Sequence, residues 1–110
     1  MLLMDPAEDM IPSLTATWND VDGQRSLRVS GELDIATAPR LAAALQGEIR
    51  PGTSVTLDLA DLAFIDAAGL RVLVAVSRTV GPAGRVLLRR PSSIVQRVLA
   101  VAGLTASISQ

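Results

Sequence analysis

Residues 14–18, LTATW, alternate between apolar and polar positions, which is the period of a half-buried strand. Residues 19–24, NDVDGQ, carry turn chemistry with Asp22-Gly23 near the end. In residues 26–33, SLRVSGEL, Leu27, Val29 and Gly31 fall on one face, and Arg28 and Ser30 on the other. The three segments predict an antiparallel hairpin. Residues 38–49 change period: Ala38, Leu41, Ala42, Leu45 and Ile49 lie on one helical stripe. Thr37 is placed to cap that helix, and Pro39 sits in the first turn, where a missing N–H costs little. RPGTS, residues 50–54, breaks the chain, and VTLDL, residues 55–59, alternates as a strand.

Helical spacing returns with Leu70, Leu73, Val74, Ser77 and Val80, and GPAG, residues 81–84, stops it. RVLLR, residues 85–89, reads as a short strand. Ser93 and Gln96 have the spacing of a capping box. The helix they open carries Ile94, Val95, Val98, Leu99 and Ala102 on one stripe and ends at Gly103. ASIS, residues 106–109, suits a last edge strand. Residues 1–12 mix Met, Asp, Glu and Pro and read as a loose arm ahead of a single domain over residues 13–110. The order is β-β-α-β-α-β-α with a final β. Strands separated by helices pair in parallel through right-handed crossovers, and the hairpin adds an antiparallel pair. The predicted fold class is therefore α/β: a small mixed sheet of four to five strands covered by helices.

Composition narrows the chemistry. Apolar residues are 49% and charged residues 19% of the 110, a globular balance. The chain has no cysteine, histidine, tyrosine or lysine. Disulfides and thiolate metal sites are excluded, and the commonest general base and metal ligand are missing. All ten basic residues are arginine against eleven acids, and only Arg89-Arg90 are adjacent. No concentrated basic patch points to nucleic acid. The start, MLLMDPAEDM, lacks the charged and long apolar regions of a signal peptide. The most apolar window, Leu62 to Val76, is interrupted by Asp66 and Arg71, so no membrane insertion and a cytoplasmic location are expected.

Three acids, Asp58, Asp61 and Asp66, fall within nine residues, a spacing that raises a divalent-metal site. Each has a simpler role: Asp58 pointing to solvent from a strand, Asp61 in a turn, and Asp66 as the N-cap of the following helix. Ser30, Ser77, Ser92 and Ser93 have no histidine or lysine to activate them, so no enzyme and no cofactor are expected. The second helix offers a surface instead. Ala67, Arg71, Ala75 and Arg78 form one ridge, and Ala68, Val72, Val76 and Thr79 run beside it. With Leu70, Leu73, Val74 and Ser77 facing the sheet, the second ridge leaves valines partly exposed, as a docking face requires. In GELDIATAPRL, residues 31–41, Glu32 and Asp34 form an acidic lip suited to a basic partner.

Three segments, SGELDIATAPRL, LDLADLAFIDAAGLRVLV and SSIVQRVLAVAGL, in this order and spacing resemble the STAS domain family, and within it the stand-alone anti-sigma factor antagonists of bacteria. The likeness spans about residues 14–107. It implies a sheet with helices packed mainly on one face. It also implies a partner, an anti-sigma factor that is a serine kinase, whose capture frees a sigma factor. In such antagonists Asp-Ser-Ser/Thr-Gly-Leu opens the second helix, and its first serine is the phosphoacceptor. Here Asp66, Gly69 and Leu70 match, whereas Ala67 and Ala68 stand at the two hydroxyl positions. Phosphorylation adds about −1.5 to −2 charge, and alanine accepts none. The resemblance places partner binding at Asp34 and around the switch segment, so the expected surface is Glu32, Asp34, Asp66, Ala67, Ala68, Arg71, Val72, Ala75 and Val76. Other roles within the family are an accessory subunit of a lipid-moving ABC transporter and a scaffold or sensor module. An exposed hairpin edge would permit a homodimer.

Overall fold

A computed structural model describes residues 13–104 and 108–109. Strands β1 (Leu14–Val21) and β2 (Gln24–Leu33) form the hairpin. Both run further than the alternation predicts, because Val21 pairs directly with Gln24. The two connecting residues, Asp22 and Gly23, have φ of 52° and 80°. Positive φ at both positions is the turn that matches strand twist, and Asp-Gly supplies it. The chain continues as α1 (Ala38–Leu45), β3 (Ser54–Asp58), β4 (Leu62–Ile65), α2 (Ala67–Val80), β5 (Arg85–Arg89), α3 (Ser93–Val101) and β6 (Ile108–Ser109).

The sheet has the order β1-β2-β3-β5-β6, with β4 also paired to β2. Among the described residues only β1–β2 is antiparallel; the other pairs are parallel. The long strand β2 is shared: Ser26–Arg28 pair with β3, and Gly31–Leu33 pair with β4. Strand β4 brings the sheet to six strands. It escaped the periodicity because its buried residues, Leu62 and Ile65, are three apart. The register explains this. Gly31 faces Leu62 and Glu32 faces Phe64, so Ala63 is the extra residue of a bulge.

One face of the sheet carries Leu27, Val29, Leu57 and Leu88, all fully buried. Leu41 and Leu45 of α1, Leu73, Val76 and Val80 of α2, and Val95 and Leu99 of α3 complete a single core. Each such aliphatic side chain contributes about 1.5–3 kcal/mol when removed from water. The end of α1 is closed by Trp18, whose Nε1–H donates to the Ala44 carbonyl at 3.1 Å. That carbonyl belongs to the last turn, whose acceptors have no partner within the helix. The Arg25 guanidinium lies 4.6 Å from the centre of the Trp18 ring on the same side of the hairpin.

Three local expectations change. Helix α1 stops at Leu45, not residue 49, because Gln46 is extended and Gly47 takes φ of 82°. Thr37 does not cap α1. Its hydroxyl donates back to the Glu32 carbonyl at 2.7 Å and accepts the Asp34 amide at 2.9 Å. Helix α3 is capped by Ser92, not Ser93, with Ser92 Oγ accepting the Val95 amide at 3.2 Å. The arm over residues 1–12 and residues 106–107 of the predicted last strand lie outside the described residues.

Trp18→Phe removes the indole donor and leaves the Ala44 carbonyl unpartnered. We expect a loss of about 1–2 kcal/mol, measured by circular dichroism in urea as a lower midpoint with an unchanged slope.

Candidate functional site

Strand β4 ends at Ile65 and α2 begins at Ala67, so Asp66 alone makes the turn. Its backbone is extended, with φ −119° and ψ −171°, and its N–H donates to the Leu33 carbonyl at 3.1 Å. That bond ties the turn to β2. Its Oδ1 accepts the amides of Ala68 at 2.9 Å and Gly69 at 3.2 Å. Asp66 is therefore the N-cap the sequence calls for, neutralising free N–H groups at the positive end of the helix dipole.

The parallel register makes Leu33 and Ile65 direct partners. Asp34 and Asp66, the next residues on each strand, consequently leave the sheet side by side. Asp34 plays for α1 a role similar to that of Asp66 for α2. Its Oδ1 accepts the amides of Ala36 at 2.9 Å and Thr37 at 3.0 Å, and its carbonyl accepts Ala38 at 2.7 Å. Of the predicted lip of Glu32 and Asp34, Asp34 stands in a turn beside Asp66, and the carboxylates of these two aspartates accept backbone amides. Glu32 is half-buried in β2, opposite Phe64.

Gly69 sets how close α2 comes to the sheet. A Cβ there would meet Leu33 Cγ at 2.5 Å and Ile65 Cγ1 at 2.9 Å. Seated this way, α2 buries Gly69, Leu73, Val76 and Val80. Val76, expected on a partly exposed ridge, is only 7% exposed, so that expectation is corrected. The helix is rotated from the predicted orientation: Leu70 and Val74 pack against the core only half-buried, and the buried Ser77 Oγ has no hydrogen-bond partner among the described residues. The outer ridge is as expected. Ala67, Arg71, Ala75 and Arg78 are exposed, and Ala68 and Val72 are half-buried.

Between α1 and α2 runs a groove of about 710 Å³. Pro39, Ala42 and Ala43 form one wall, and Arg71, Val72 and Ala75 the other, with Val76 at its base. The α1 wall is absent from the sequence reading, which put Ala42 on the apolar stripe; the structure leaves Ala42 and Ala43 exposed. Two large exposed apolar residues flank the Asp34–Asp66 edge and were also missed: Ile35, 78% exposed, and Phe64, 44% exposed. A signal for Phe64 existed, since neighbours in a strand point to opposite faces and Ile65 claims the inner one.

The other two candidate ligands are held elsewhere. Asp61 pairs with Arg28, and Asp58 with Arg90, on the open face of the sheet. Asp58, expected to point to solvent, is only 18% exposed at its side chain. No group of three metal-type ligands occurs among the described residues. Burial disfavours the Asp58 carboxylate, but hydrogen bonds from Arg90 and the Ala60 amide, with the charges of Arg90 and Arg28, outweigh it and hold its pKa below the usual value. The Asp61 carboxylate raises the Arg28 pKa through a hydrogen bond and its charge.

Comparison with known proteins agrees with this fold. The family model described as Mlab, STAS domain, matches residues 19–109. The anti-sigma-F factor antagonist RsfB of Mycobacterium tuberculosis is 31% identical over 94 residues, covering 84% of this chain and 76% of its own. The crystal structure of an anti-sigma factor antagonist from Mycobacterium paratuberculosis superposes with a TM-score of 0.72 at 28% identity, covering 96% and 87% of the two chains. The unphosphorylated form of the anti-sigma factor antagonist SpoIIAA shares the fold, with a TM-score of 0.71 at 24% identity and 86% of each chain covered. No described helix is long and apolar enough to cross a membrane.

Two results test this site. Asp66→Ala removes a cap and is expected to cost about 1 kcal/mol. Gly69→Ala forces the buried Leu33 and Ile65 to move and is expected to cost more, about 1–3 kcal/mol; chemical denaturation of both variants checks the order. Asp58 has a depressed folded pKa, so its contribution is full above the unfolded value near about 4 and fades as pH falls through the folded value. Asp58→Asn should therefore be less stable at neutral pH, by under about 1 kcal/mol because Arg90 is exposed, and the gap should close in acid.

Proposed function

We propose that this chain, which belongs to the STAS domain family, is an anti-sigma factor antagonist: it captures an anti-sigma factor and thereby frees a sigma factor. The observation that carries the reading is the likeness to RsfB, an anti-sigma-F factor antagonist, over 84% of the chain. Its residues suit binding and not catalysis, since no hydroxyl has a histidine or lysine beside it to act as base. Such a regulator works in the cytoplasm, where sigma factors act.

The docking surface in this reading is the Asp34–Asp66 edge with the outer face of α2. Ala67, Arg71 and Ala75 are exposed there, and Ala68 and Val72 are half-buried beside them. Small side chains on a rigid helix allow close approach, and Arg71 adds a directional donor. Val76 supports this face from beneath. Asp34 and Asp66 shape it through their turns, so their charge is a secondary part of recognition.

Ala67 occupies the first position of α2 and is exposed. In the family pattern this is the phosphoacceptor position. A serine there would be open to a kinase, and its phosphate would add negative charge beside the Asp66 carboxylate. Alanine carries no such charge. The chain is thus an antagonist fixed in its binding-competent form, and its partner belongs to the kinase-type anti-sigma factors.

The experiment is incubation with the anti-sigma factor of the same cell and ATP. Wild type should take up no phosphate and remain bound, and Ala67→Ser should take up about one per chain and dissociate. Stoichiometric phosphate on wild type overturns the loss of kinase control, and an unmodified Ala67→Ser overturns the kinase-type partner. Ala75→Arg should weaken capture by at least about tenfold, or 1.4 kcal/mol, without changing the melting temperature. Retained affinity moves the interface off α2. Recovery of a transporter ATPase in place of an anti-sigma factor replaces this function with that of an ABC-transporter accessory subunit.

A further inference from the structure

The fourteen residues of α2 carry two arginines, Arg71 and Arg78, and no acid, in a chain whose net charge is −1. Both arginines are exposed, and neither forms an ion pair with a described residue. The aspartates that precede the helices, Asp34 and Asp66, accept backbone amides instead. Arg71 and Arg78 are seven residues apart on one ridge, a rise of about 10 Å, with Ala75 between them.

Alanine keeps the middle of that ridge low, and a recess lies on either side. Toward α1 is the groove of about 710 Å³, with Val72 and Val76 in its lining. On the other side is a hollow of about 350 Å³ that includes Leu70 and Val74. Arg71 and Ala75 border both recesses, and Arg78 borders the smaller one. The face is therefore a low crest between two apolar hollows, with a guanidinium at each end.

That arrangement specifies its occupant. Side chains that fill both hollows must straddle Ala75, as the ridges of a helix packed across the crest do. Each guanidinium is a forked donor suited to a carboxylate. Carboxylates seven residues apart on a helix span the same distance of about 10 Å. A second copy of this face is disfavoured, because a two-fold axis at Ala75 sets arginine against arginine. We propose that α2 takes an acidic amphipathic helix of the anti-sigma factor, its apolar side chains straddling Ala75 and its carboxylates engaging Arg71 and Arg78. The inference deepens the antagonist reading and rests on it, by stating what the partner must present.

Paired variants of the full chain test it by titration against the purified anti-sigma factor of the same cell. Arg71→Glu with Arg78→Glu should weaken capture about a hundredfold. Arg71→Leu with Arg78→Leu should weaken it about tenfold, and its capture should depend less on salt than that of wild type. Arg85→Glu with Arg89→Glu makes the same change of net charge at exposed positions of β5 and should bind as wild type does. Arginines at two acidic positions seven apart on one exposed helix of the anti-sigma factor should restore capture by the α2 glutamate pair. Full affinity in either α2 pair, an equal loss in the β5 pair, or rescue from no helix overturns the proposal and leaves the antagonist reading standing, because wild type still binds. A wild type that captures no anti-sigma factor overturns the antagonist reading, and this assignment of the partner with it.

Discussion

The seat of α2 on the ends of β2 and β4 organises the site. At Gly69 the helix backbone comes so near Leu33 and Ile65 that any side chain would collide. At Asp66 the chain turns without a loop, and the carboxylate satisfies two amides that the helix leaves free. The two effects are coupled. A cap that failed to start the helix at Ala67 would not bring residue 69 over Leu33. A larger residue at 69 would lift the helix off the strands and move its whole outer face.

From this seat follow the groove and the edge. With Gly69, Leu73, Val76 and Val80 turned inward, the Ala67–Arg71–Ala75 ridge must face out. The parallel pairing of Leu33 with Ile65 then sets the two helix starts beside each other. Asp34 and Asp66 each hold one start, which leaves α1 and α2 flanking a shallow apolar channel. The surface belongs to the backbone geometry as much as to the side chains: alanines at the ridge and wall present a low, accessible profile.

Much of the fold was legible because period and punctuation agree. Alternation marks β1, β3 and β5, and helical spacing marks the three helices. Asp22-Gly23, Gly81 and Gly103 stop elements where positive φ is required. The failures are local and have physical causes. Strand β4 was hidden by a bulge that places two buried residues three apart. Thr37 was hidden because its hydroxyl finds better partners behind it than ahead. The α3 cap falls on Ser92, whose Oγ accepts the Val95 amide, one residue before the Ser93–Gln96 spacing places it, a shift that spacing alone does not resolve.

The candidate site divides the same way. The cap role of Asp66 and the outward ridge of α2 were readable from sequence, since both depend on residues within a few positions of one another. The burial of Val76, the exposure of Phe64 and Ile35, and the α1 wall were not. Sequence by itself determined which residues start, stop and stripe each element, and that alanine replaces a hydroxyl at positions 67 and 68, because these are properties of the local chain. Only the tertiary structure decided the rotation of α2 about its axis and the pairing of Asp34 with Asp66. Those follow from contacts between Gly69, Leu33 and Ile65, residues brought together by strand register across more than thirty positions of sequence.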